Sequence, residues 1–126
     1  MTLQTPIARV RGLGAARAGT RRWMAERLTG IASLILVLWF VFSAMALAGA
    51  DYAQTRAWLA SPVAATLMIL LILSVFYHAQ LGLQVVIEDY VHHSGLKVAA
   101  MVAVTLGLLA LGAACIVAVL QVSIGS

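Results

Sequence analysis

Three long apolar runs separated by short polar intervals dominate the pattern of the chain. The first extends from about Leu28 to Gly49, the second from Pro62 to Tyr90 and the third from Leu96 to Val122. A helix needs about 20 residues to cross the hydrocarbon core of a bilayer, so each run predicts one transmembrane helix. Residues 50–61, which include Asp51, Arg56 and Trp58, predict a short polar connection, and Pro62 suits the first turn of the second helix. At about 1.5 Å per residue the second run is longer than the ~30 Å core, so its C-terminal end is expected to protrude into the headgroup layer. The turn Val91-His92-His93-Ser94-Gly95 brings the chain back, and Lys97 marks the interface there. The third run carries small residues, Ala99, Ala103, Gly107, Ala110, Ala114 and Ala118, at a spacing that lets another helix approach closely. The expected architecture is an all-α membrane protein with three transmembrane helices, forming part of a larger helix bundle with a partner subunit.

Composition reinforces this reading. The 126 residues are 63% hydrophobic and only 10% charged, with a mean hydropathy of +1.05, and about 25% charge is usual in a soluble domain. Arg9, Arg11, Arg17, Arg21, Arg22 and Arg27 all precede the first apolar run, so the basic balance describes an N-terminal tail and not a nucleic-acid surface. Basic residues stay on the cytoplasmic side of a membrane, which predicts a cytoplasmic N-terminus and an outward-facing 50–61 connection with its one basic residue. Residues 1–27, rich in Arg, Ala and Gly with Pro6 near the start, read as a loosely structured cytoplasmic segment ahead of an anchor domain over residues 28–126. Trp23 stands where an interfacial aromatic would lie. An Arg-rich start before an apolar run ending in Ala46-Leu47-Ala48-Gly49-Ala50 also has the look of a secretory signal, with Thr20-Arg21-Arg22 a faint twin-Arg pattern. The run is longer than the ~7–15 residues of such a signal, which favours a span. The one cysteine, Cys115, excludes an intrachain disulfide and is expected as a small buried hydrophobe.

Chemistry concentrates in Tyr77 through Tyr90, where an apolar segment carries an imidazole in its interior and ends on Glu88, Asp89 and Tyr90. At about 100° per residue, His78, Gly82, Val85 and Asp89 share one helix face, with roughly 16 Å along the axis between His78 and Asp89. An ionisable side chain inside a span usually faces a partner or a cavity. His78 therefore reads either as a packed structural residue or as a ligand, and neutral imidazole is the form that coordinates iron. A low-spin b-type haem takes two axial ligands. The chain has no second histidine at matching depth, since His92 and His93 lie near the surface, so the other ligand would come from another chain. Asp89 and Tyr90 read either as interface anchors or as hydrogen-bonding and proton-supplying groups for a quinone carbonyl. Arg27, followed by Thr29 and Ser33 at the same membrane level, reads either as a topology signal or as a cation for haem propionates or a quinone oxygen.

The spacing His-x3-Gly-x6-Asp-Tyr, formed by His78, Gly82, Asp89 and Tyr90, resembles the signature of the succinate dehydrogenase hydrophobic membrane anchor subunits, the D-type subunits of respiratory complex II. Gly12 through Thr20, and Trp23 through Arg27-Leu28-Thr29, are similar to the N-terminal segment of bacterial members. The resemblance implies a haem b ligand at His78, with Gly82 beside the porphyrin, and ubiquinone contacts at Tyr90 and Asp89. It also implies partnership with a cytochrome b556-type membrane subunit, an iron-sulfur subunit and a flavoprotein subunit, in a bacterial inner membrane in preference to a mitochondrial one. The chain has no flavin or iron-sulfur ligand set of its own, so it is expected to be non-catalytic alone. The rival readings are a fumarate reductase anchor and a non-redox membrane scaffold or transporter subunit.

Overall fold

In a computed structural model the described residues form four α-helices, α1 (Gly14–Ala46), α2 (Tyr52–Ala60), α3 (Pro62–Tyr90) and α4 (Ser94–Ile124). The structure describes residues 14–125, with side chains from residue 19 onward; Arg9 and Arg11 of the basic tail, and the side chain of Arg17, lie outside them. Among the described residues three segments are long and apolar enough to cross a membrane, Gly19–Ala46, Pro62–Tyr90 and Ser94–Ile124.

Two stretches expected to be irregular are helical. The segment of residues 1–27 is helix from Gly14 onward. Ala, Arg, Met and Glu are strong helix formers even where no face is buried, and Arg22 Nε pairs with Glu26 Oε1 one turn away at 3.6 Å. An apolar-run criterion detects burial and so misses such a turn. The 50–61 connection likewise contains α2, nucleated by a capping box in which Asp51 Oδ1 accepts from Gln54 N at 2.8 Å and Gln54 Oε1 accepts from Asp51 N at 3.0 Å. Between α1 and α2 the chain reverses at Gly49, whose φ of +85° only glycine adopts without strain.

Ser61 serves two helices. Its backbone N–H closes α2 on Trp58 O, and its Oγ accepts from Ala64 N at 3.2 Å to open α3, with Pro62 in the first turn. At the other end, His93 Nδ1 accepts from Leu96 N at 3.1 Å and caps α4. The turn histidine is thereby occupied in holding the helix start.

The helices lie in an open layer with α3 in the middle: α1 and α4 each pack along α3 and make no comparable contact with each other. Among the described residues, the buried apolar side chains are Leu36, Ala64, Leu71, Leu81, Ile87 and Val119. Lipid tails are as apolar as these side chains, so the layer is held by close packing and polar ties more than by apolar burial. Phe76 packs over the buried Gly112, where a Cβ would stand in ordinary contact 3.5 Å from Phe76 Cγ, and Gln80 Nε2 donates to Thr105 Oγ1 at 2.8 Å between α3 and α4. The row from Ala99 to Ala118, read as a packing face, is exposed throughout, as is Cys115, which was expected to be buried. Within this chain α4 meets α3 through a different face, and the small-residue row is left uncovered.

The short helix α2 rests on the ends of α3 and α4. Trp58 stacks on Trp39 of α1 at 5.7 Å between ring centroids, and Arg56 donates to the Gly125 carbonyl. This end carries Asp51 and Arg56, whereas Arg21, Arg22, Arg27, Glu26, Glu88, Asp89 and Lys97 gather at the opposite end.

Candidate functional site

Two polar ties set the register of α1 against α3. Near the charged end, Arg22 Nη1 donates to Glu88 Oε2 at 3.0 Å and to Oε1 at 3.3 Å, and Gln84 Nε2 adds a bond to Glu88 Oε1 at 3.2 Å. Deeper in the layer, Thr29 Oγ1 lies 3.1 Å from His78 Nδ1. On α1 the spacing from Arg22 to Thr29 is about two turns, so both point at α3 from one face.

The His78 ring sits against α1 at a place where the helix surface is lowest. A Cβ on Gly30 would lie 3.4 Å from His78 Cε1 and 3.8 Å from Nδ1, so the Nδ1–Cε1 edge of the ring rests on the Thr29–Gly30 pair. The opposite edge, with Nε2, points away from α1 and makes no hydrogen bond to any described residue. His78 as a whole is exposed on the isolated chain. Gly82, one turn along α3, also faces open space, with nothing within 4 Å of where its Cβ would stand. His78 and Gly82 together present a ring nitrogen beside a gap on an exposed apolar surface.

Arg27 precedes Thr29 on α1, so it stands about 3 Å nearer the charged end than the His78 seat. Its guanidinium lies 5.6 Å over the Trp23 ring and forms no ion pair with a described residue. Asp89 and Tyr90 end α3 at that same charged end; both are exposed, Tyr90 at 78%, and neither is hydrogen-bonded to a described side chain. The structure puts His78, Gly82 and Asp89 on one face of α3, whereas Arg27, though near their level on α1, is turned about 160° around that helix from Thr29 and so is not brought beside His78. Tyr90 is turned about 100° from Asp89 and is free at the helix tip.

A groove of about 290 Å³ opens between α3 and α4, lined by Phe76, Tyr77, Gln80, Thr105, Leu108 and Gly112 among others. Gln80 lies about 160° around α3 from His78, so this apolar groove is separate from the histidine face.

Comparison with known proteins adds a decisive observation: the family described as succinate dehydrogenase/fumarate reductase transmembrane subunit matches residues 1–120. The chain belongs to this family. It is 31% identical over 100 residues to the succinate dehydrogenase hydrophobic membrane anchor subunit of Rickettsia bellii, covering 79% of this chain and 80% of that relative. The proteins of the same name from Rickettsia conorii and Rickettsia felis are 27% and 30% identical over 92 and 77 residues, covering 72% and 61% of this chain and 73% and 64% of theirs. All-helical structure with three spans accords with a transmembrane subunit family.

Sequence reasoning had named Thr29 only as a follower of Arg27, and had not named Gly30 or the pairing of Arg22 with Glu88. The available signal was the run Arg22, Glu26, Thr29 and Ser33, a polar stripe at helical spacing that enters the otherwise apolar α1. Ser33 Oγ is buried there without a hydrogen-bond partner among the described residues.

Proposed function

We propose that this chain is the membrane anchor of a succinate:quinone oxidoreductase, docking a flavoprotein and an iron-sulfur subunit at its charged end. It would share one haem b and a ubiquinone pocket with a cytochrome b556-type membrane subunit. The observation that carries the reading is the presentation of His78, with Nδ1 engaged by α1 and Nε2 free toward an uncovered face. The residues of α3 fit one axial position of a b-type haem, with a free ring nitrogen and an open gap at Gly82; Arg27, on another face of α1, is not part of that cradle. When bound, the haem supplies one-electron chemistry beside the quinone. This chain's part is to hold the imidazole, keep bulk away from its face, and place Arg27, Asp89 and Tyr90 at the membrane surface. The open layer supports a shared site, since the face beside His78 has no cover from this chain.

The test is to purify the tagged chain from its native membrane. Co-purification of a flavoprotein, an iron-sulfur protein and a second membrane subunit is expected, with dithionite-reduced b-type absorption bands and succinate:ubiquinone reductase activity. Recovery of an unrelated transporter, or of no redox protein, would sink the assignment.

The basic residues of the charged end support a cytoplasmic N-terminus and 88–97 turn, in a bacterial inner membrane. Reporter fusions at the C-terminus are accordingly expected to be active on the periplasmic side. A C-terminal reporter active in the cytoplasm would reverse the orientation.

A further inference from the structure

We propose that Thr29 is a positioning residue that fixes the tautomer of His78, forcing the ring proton onto Nδ1 and leaving Nε2 as a bare donor nitrogen directed away from α1. The argument is one of proton accounting. A threonine hydroxyl has one proton, and Thr29 Oγ1 lies 2.6 Å from Ala25 O, with Glu26 O a weaker second acceptor at 3.3 Å. A carbonyl cannot donate, so the hydroxyl proton is committed to its own helix, in the i−4 bond that threonine commonly makes. What Oγ1 then offers to His78 Nδ1 at 3.1 Å is a lone pair, and the ring nitrogen must be the donor. A neutral imidazole has one N–H, so Nε2 is unprotonated.

The reverse polarity, with Thr29 donating to the ring, would give up the short 2.6 Å bond to Ala25 O for a longer contact of 3.1 Å, leaving that carbonyl with the backbone N–H of the α1 ladder alone. Gly30 forms the floor of the seat: a Cβ there would stand in ordinary contact, 3.4 Å from Cε1 and 3.8 Å from Nδ1, so this edge of the ring lies close on α1. The chain from the Ala25 carbonyl through Thr29 to Nδ1 also makes the imidazole a stronger electron donor, because a hydrogen bond accepted from its N–H raises the basicity of the other nitrogen.

The direct readout needs no haem. The full chain, 15N-labelled at histidine and placed in lipid bilayers, is examined by solid-state NMR, with His78→Gln identifying the His78 signals among those of His92 and His93. The wild-type ring is expected to show a protonated Nδ1 and an unprotonated Nε2. Thr29→Val, which keeps the shape and loses the oxygen, is expected to lose that preference, and Thr29→Ser to retain it. An Nε2-protonated wild type, or a Thr29→Val signal identical to wild type at equal helix content, overturns the proposal. A second arm rests on the haem reading above. In the purified complex Thr29→Val is expected to raise the haem midpoint potential and weaken haem retention by roughly 10- to 100-fold, with Thr29→Ser near wild type. Absence of haem from the wild-type complex would remove the haem reading while leaving the tautomer result standing.

Discussion

Replacing His78 by alanine is expected to remove the low-spin b-type spectrum of the complex. Alanine supplies no ligand, and the structure offers no substitute: among the described residues the other histidines are His92 in the turn and His93, whose Nδ1 is taken up in capping α4. Both stand more than three helical turns from residue 78 along the chain, roughly 20 Å away toward the charged end. On the proposed haem reading the site would then be left with the partner subunit's ligand alone, so the reduced bands are expected to shift to a high-spin form or disappear with loss of the haem. The damage to the fold should be small. His78 is exposed on this chain and its one bond is to Thr29, which retains Ala25 O as an acceptor. Difference absorption spectra of membranes, with His92→Ala as the matched control, provide the check. An unchanged spectrum in a normally assembled His78→Ala complex would show that the iron is held elsewhere.

Tyr90→Phe is expected to lower succinate:quinone activity while sparing succinate oxidation by a soluble dye. The phenol is 78% exposed at the tip of α3 and bonds to no described residue, so removing its oxygen breaks nothing within the chain. Whatever the variant loses must lie in a contact to something bound there. A hydrogen bond from the phenol to a quinone carbonyl contributes about 0.5–3 kcal/mol, which corresponds to roughly a 2- to 150-fold change in rate or affinity. Asp89→Asn should act differently, because a carboxylate accepts and relays protons whereas an amide does not. Quinone reduction consumes two protons, so the Asn variant is expected to lose activity most steeply at high pH, where protons are scarce. Steady-state kinetics over a pH series separate the two, and wild-type kinetics in both variants would place the quinone elsewhere and leave Tyr90 as an interfacial anchor.

The three spans were legible because run length in an apolar sequence is itself the signal for crossing a bilayer, and the family resemblance rested on residues at fixed spacing. His78 was legible for the same reason: one imidazole stands out against leucine and valine. The early start of α1 was not, because Ala15 through Ala25 make a helix by propensity with no apolar face to betray it. Nor could the seat of His78 be read, since Thr29 and Gly30 lie about fifty residues away and the pairing of α1 with α3 had to be known first. The row Ala99 to Ala118 shows a further limit of periodicity in lipid. In water a polar face marks the outside of a helix, but here nearly every face is apolar, and the one interior polar residue of α4, Thr105, was the sole signal of the side toward α3, where it meets Gln80.

Ser61 acquires a further meaning from its place between α2 and α3. Its neighbour helix is moored at two points, by Trp58 on Trp39 and by Arg56 on the Gly125 carbonyl. The first turn of α3 therefore starts from a fixed datum, and the helix works as a ruler from it. Counted at about 1.5 Å and 100° per residue, the imidazole stands roughly 25 Å beyond Ser61, at one bearing around the axis. Adding or removing a single residue along that ruler would shift the depth of the ring by only about 1.5 Å but swing it through about 100°, clear of Thr29 and Gly30. Azimuth, far more than depth, is what the length of chain between Ser61 and His78 holds constant.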